Sequence, residues 1–126
     1  MLKSGTGFTE LKLWKKSRAF RNQIATVTMS FPEVEKYRLI DQLIRSSRSI
    51  TANIAEGHGR YHYQENIQFC RMARGSLLES YDHLICAFDM DYITEEEIKN
   101  FEKLITEIKM ILNGYINYLK NKKSEN

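Results

Sequence analysis

The 126-residue sequence contains one proline, Pro32, and six glycines. Proline breaks helices and glycine weakens them, so their scarcity leaves long stretches in which nothing interrupts a helix. Cysteine is scarce too. Cys70 and Cys86 are the only two, 16 residues apart; at about 1.5 Å rise per residue on one helix they lie far beyond disulfide reach and read as reduced core or boundary residues. No apolar run approaches the roughly 18 residues that span a bilayer, and the opening stretch from Met1 to Gly7 lacks the apolar segment of a secretory signal. The expectation is a cytoplasmic protein without membrane contact. Strand-like alternation of apolar and polar residues is also missing.

What is present is an ordinary globular composition, 42% hydrophobic and 28% charged, in a length that fits one domain over residues 1–126. Its apolar residues recur at spacings of three and four, the period of a helix face. Helix 1 is expected over about 9–29, with Leu13, Ser17, Phe20, Ile24 and Val27 inward, stopped by Phe31-Pro32. Helix 2 covers about 35–56, with Ile40, Leu43, Ser47, Ile50 and Ile54 inward, and ends at Gly57-His58-Gly59. Helix 3 covers about 63–88 on a seam of mostly small residues: Cys70, Ala73, Leu77, Ser80, Leu84 and Ala87. Helix 4 covers about 95–121, opened by a capping box from Thr94 to Glu97 and lined by Ile98, Phe101, Ile105, Ile108, Leu112, Tyr115 and Leu119. From Lys120 onward the sequence is polar and is expected to fray. Short connections force neighbouring helices to run antiparallel, so the fold expected is an all-α, up-down-up-down four-helix bundle.

Residues typical of catalytic sites do not assemble. A di-metal carboxylate centre in such a bundle needs Glu-x-x-His pairs, and none of His58, His62 and His83 lies three residues after a glutamate. Magnesium-dependent all-helical pyrophosphohydrolases use paired acidic motifs, of which only Glu79-Ser-Tyr-Asp82 is present. Gly57-His58-Gly59 follows a helix, the wrong context for a phosphate-cradling loop, and no serine pairs with a histidine and an acid. Neither enzyme chemistry nor a cofactor is expected.

Charge is modest but uneven. Residues 1–88 carry 13 Lys and Arg against 8 Asp and Glu, and residues 89–126 carry 6 against 8. Lys12, Lys15 and Lys16 form a patch on helix 1, and Arg45, Arg48, Arg60, Arg71 and Arg74 come from helices 2 and 3. Such residues suit non-specific phosphate contacts to RNA or DNA, strengthened if subunits repeat around an axis; solvation alone also accounts for them. Leu11, Trp14, Arg18 and Arg21 fall on a flank beside the helix 1 seam. They suggest a subunit interface with Trp14 partly exposed, or else Trp14 closes one end of the core. Ser46, Ser49, Asn53 and Glu56 make a polar stripe on helix 2, expected to satisfy the helix end and the following turn.

Leu11-Lys12-Leu13-Trp14-Lys15-Lys16, Phe31-Pro32, Tyr37-Arg38-Leu39, Arg48-Ser49-Ile50-Thr51-Ala52-Asn53-Ile54-Ala55-Glu56-Gly57 and Ala73-Arg74-Gly75-Ser76-Leu77-Leu78-Glu79 span nearly the whole chain. This pattern resembles the four-helix bundle proteins encoded in intervening sequences of bacterial 23S rRNA genes. The resemblance implies a ring-shaped homopentamer, similar to the accessory variability determinant of diversity-generating retroelements, which binds nucleic acid and a reverse transcriptase as partner protein. It also implies structural roles for the motif residues Asn53, Glu56, Gly57, Gly75 and Glu79.

Overall fold

The helical periodicity is realised as four long helices. The computed structural model describes residues 7–125. After a 3-10 turn, Gly7–Glu10, the helices are α1 (Lys12–Thr28), α2 (Leu39–His58), α3 (Tyr63–Asp89) and α4 (Glu95–Ser124), with a second 3-10 turn at Glu33–Glu35 between the first two. No strand occurs among the described residues.

Two helix starts fall later than the sequence suggests. Leu11 adopts an extended backbone and separates the first turn from α1, and Pro32 directs the chain through the Glu33–Glu35 turn before α2 begins. The other end of α4 differs as well: the expected frayed tail is helical through Ser124. The reciprocal cap at Thr94 and Glu97 fixes the start of α4, with bonds of 2.8 and 3.1 Å, whereas Leu11, Arg38 and His62 provide no side-chain cap for α1, α2 and α3. Helix α3 closes without glycine. Asp91 takes the left-handed conformation (φ 61°) and Tyr92 N–H reaches back to the Ala87 carbonyl at 2.9 Å, satisfying the last turn.

Each helix packs against its two neighbours in the order α1–α2–α3–α4–α1, and among the described residues no close backbone approach occurs across the diagonals. The register is antiparallel throughout: Arg21 donates to Thr51, Ser76 to Ser49, Arg74 to Asn113, and Lys123 to Gln64. Most of the seam residues expected to face inward are buried. At the edges, Leu39 replaces Ile40, Thr28 replaces Val27 and Ile116 replaces Tyr115, each a shift of one position that leaves a half-buried residue at the border. Ser17 is fully buried and its hydroxyl has no hydrogen-bond partner among the described residues.

The α2–α3 contact is the closest, and serine hydroxyls bridge it. Ser46 and Ser80 hydroxyls lie 2.7 Å apart, and Ser76 donates to Ser49 at 3.0 Å. Near its end a Cβ on Gly57 would meet Asn66 Oδ1 at 2.7 Å and Phe69 Cβ at 2.8 Å. Only a residue without a side chain lets α3 start this close to the end of α2.

Candidate nucleic-acid interface

Antiparallel packing sorts the charges of the chain by bundle end. One end gathers the start of α1, the α2–α3 connection and the end of α4; dividing each helix at its midpoint assigns it residues 7–20, 49–76 and 110–125. That half holds 10 Lys and Arg against 4 Asp and Glu, whereas residues 21–48 and 77–109 hold 8 against 12. The halves therefore differ as +6 and −4. The sequence places the imbalance between the first three helices and the fourth, but α4 is itself divided: Glu95, Glu96 and Glu97 open it, and Lys120, Lys122 and Lys123 close it. Each of these clusters suits the helix dipole at its own terminus.

Six of the eight candidate phosphate-binding residues belong to the basic half: Lys12, Lys15, Lys16, Arg60, Arg71 and Arg74. Several are engaged within the chain. Lys15 pairs with Glu10 at 3.5 Å, Lys16 with Glu107 at 2.8 Å, and Arg60 with Glu56 and Glu65 at 3.2 and 3.5 Å. Its bond to Lys16 holds the Glu107 carboxyl below its ordinary range, with the charges of Lys16 and Lys12 adding to the effect. Arg74 donates to Asn113 at 2.8 Å. Among the described residues Arg71 has no ion-pair or side-chain hydrogen-bond partner, and it lines a groove of about 460 Å³ with Gln64, Ile67, Lys120, Lys123 and Ser124. No carboxylate lines this groove. Lys120 and Lys123 were absent from the residues singled out in the sequence; their spacing of three just beyond Leu119, the last residue of the seam, is the signal that points to them.

Arg45 and Arg48 lie apart from this end. They border a second groove, between α2 and α3, together with Gln42, Ser46, Ser49, Ser76 and Glu79. Arg45 makes a long contact to Asp41 at 3.8 Å, and Glu79 bonds His83 at 3.2 Å. Charge of both signs makes this groove a weaker anion site than the first.

Of the two expectations for Trp14, partial exposure on a flank and closure of one end of the core, its burial agrees with the second. Trp14 is 8% exposed and packs edge-on against Phe8 from the preceding turn, with ring centroids 5.3 Å apart. Arg18 lies over the Trp14 ring at 5.6 Å, Arg21 donates to Thr51 at 3.1 Å, and Leu11 is half-buried against the core. All four thus find partners within the chain. The motif residues divide. Asn53 does not reach the following turn; its amide bonds the Ser49 carbonyl at 2.8 Å, one helical turn back. Glu56 holds Arg60, and Gly57 is required by the close approach of α3. Gly75 faces open space, with nothing within 4 Å of an added Cβ, so packing within the chain does not require glycine there.

Among the described residues no group of three or more His, Cys, Asp and Glu could hold a metal ion, and no helix is long and apolar enough to cross a membrane. Cys70 is buried and Cys86 exposed, and both are free; burial pushes the Cys70 thiol up to about 11.

Fold and surface define a helical bundle whose conspicuous feature is a basic end. The model of the family described as 23S rRNA-intervening sequence protein matches residues 9–114, and the chain belongs to that family. Among solved structures it is similar to a protein of unknown function from the S23 ribosomal protein family of Bacteroides thetaiotaomicron. The two are 25% identical with a TM-score of 0.76, over 83% of this chain and 95% of that one. No functionally curated protein matches.

Proposed function

We propose that this protein is a non-enzymatic nucleic-acid-binding protein that holds phosphates at the basic end of its bundle and works as a homo-oligomer, a pentamer by family resemblance. The observation that carries this reading is the charge sorting, +6 against −4 between bundle halves. Phosphate binding by lysine and arginine releases counterions, so affinity falls steeply with salt. A ring would present the same end of every subunit to one strand, and several weak contacts then combine.

The test is binding to a fluorescent structured RNA at low and high salt, with the solution mass measured by light scattering. Six phosphate contacts would cost about 10³-fold in affinity between about 50 and 200 mM salt. A second reading is a protein-interaction scaffold. It is favoured by Leu78 and Ile85, which are exposed one heptad apart on α3 in the acidic half. Binding to a protein partner through such residues would persist at high salt, which separates the two readings.

A further inference from the structure

Exposed tyrosines occur at both ends of the bundle, Tyr37 at the acidic end and Tyr61 and Tyr118 at the basic end, and only the latter two belong to the half with surplus cations. At the acidic end Tyr92 packs on Phe31 with centroids 5.3 Å apart and donates to Glu35 at 2.8 Å. At the basic end Tyr61, in the α2–α3 connection, is 99% exposed, and Tyr118 on α4 is 53% exposed. Tyr118 is held in place: Tyr115 stacks beside it at 6.1 Å and 14°, and Lys122 lies 5.8 Å from its ring centroid. Tyr61 follows Arg60 directly, and the α2–α3 connection carrying it lies beside the end of α4, joined by the Lys123–Gln64 bond at 2.6 Å. The cations next to the two rings are ion-paired, Arg60 with Glu56 and Glu65 and Lys122 with Glu125, while Arg71 and Lys120 of the same end line a groove without a carboxylate. Exposed aromatic rings on a basic surface are the combination that binds single strands, cations following the backbone while bases stack on the rings. Paired bases are already stacked on one another and offer no free face to such a ring.

We propose that the basic end binds unpaired nucleotides, with Tyr61 and Tyr118 as stacking platforms and Arg71, Lys120 and Lys123 as phosphate contacts. This rests on the nucleic-acid reading above and narrows its ligand to single strands. Every base has a stacking face, so the site is tolerant of sequence.

The experiment compares, by fluorescence anisotropy, one labelled pyrimidine-rich RNA strand as a single strand and as a duplex, on the full chain and its variants. Single-strand binding is expected to be the tighter. Tyr61→Ala and Tyr118→Ala are each expected to weaken it by about 5- to 100-fold, as loss of one stacked base does. Tyr61→Trp and Tyr118→Trp keep a ring and are expected to retain binding. Tyr37→Ala removes an exposed tyrosine at the acidic end and is expected to change nothing. Equal binding of strand and duplex, with both alanine variants neutral, overturns the single-strand site and leaves the phosphate reading standing. Binding of neither form overturns both. Loss of binding in the alanine variants without rescue by tryptophan also overturns the stacking role.

Discussion

The two ends of this bundle are built from the same four helices, yet they deploy charge in opposite ways. At the acidic end carboxylates find hydroxyl partners: Glu35 accepts from Tyr92 and Glu102 from Tyr81, and the α4 cap holds Glu97. At the basic end cations outnumber their partners, and Arg71 and Lys120 share a groove without a carboxylate. A helix end satisfied internally needs nothing more from its surroundings; one with surplus cations gains by meeting an anion. The contrast shows that a modest net charge of +3 is a poor guide to the surface field, because antiparallel packing brings distant like charges together.

The most severe test of the contrast is charge reversal. Lys12→Glu, Arg71→Glu and Lys120→Glu combined should lower RNA affinity by about 100-fold or more and flatten the salt slope by about 2, the loss of three phosphate contacts. Reversing Lys36, Lys99 and Lys103 of the acidic half should leave binding within about 3-fold at moderate salt. Equal losses from both sets would dissolve the distinction between the ends.

Next in size is the packing that shapes the basic end. Gly57→Ala should cost about 1–3 kcal/mol in denaturant unfolding, because its methyl group meets Asn66 and Phe69. A neutral result would mean that α3 can shift away from α2 without loss.

The smallest effect concerns the acidic end. The hydrogen bond to Glu102 raises the Tyr81 pKa above its ordinary 10.0, and the bond to Glu35 does the same for Tyr92, each helped by desolvation and by the carboxylate charge. A folded-state pKa above the unfolded one gives stability that is complete below the unfolded value and is lost as pH rises through the folded value. Stability should therefore decline above about pH 10, and Tyr81→Phe with Tyr92→Phe should flatten that decline. Thermal unfolding measured across the alkaline range reads both.

Periodicity made the fold legible: the seams of α2, α3 and α4 follow directly from spacings of three and four, and Thr94 with Glu97 marks a start that the geometry confirms. Boundaries were less so, because Leu11 and the Glu33–Glu35 turn break the helix without proline or glycine inside them. Trp14 was ambiguous for a physical reason. Its burial depends on Phe8, which lies outside the periodic segment and reaches it only through the 3-10 turn. The candidate site was legible in residue type but not in place. Lys123 lies beyond the expected end of helix 4 and Lys120 in the stretch expected to fray, and Arg45 and Arg48 fall in a groove of mixed sign. Which cations share an end is a property of the register, and register is written in contacts rather than in spacing.

Gly75 carries a consequence of a different kind. A Cβ added there has no neighbour within 4 Å among the described residues outside its own turn of helix, and alanine at such an exposed helical site stabilises by about 0.5–1 kcal/mol. The isolated subunit thus has room for at least a methyl group at the middle of α3, and a graded series of larger residues whose stability as subunits is measured alongside acts as a feeler gauge. Any size at which assembly or activity fails measures the clearance left by another molecule against that helix.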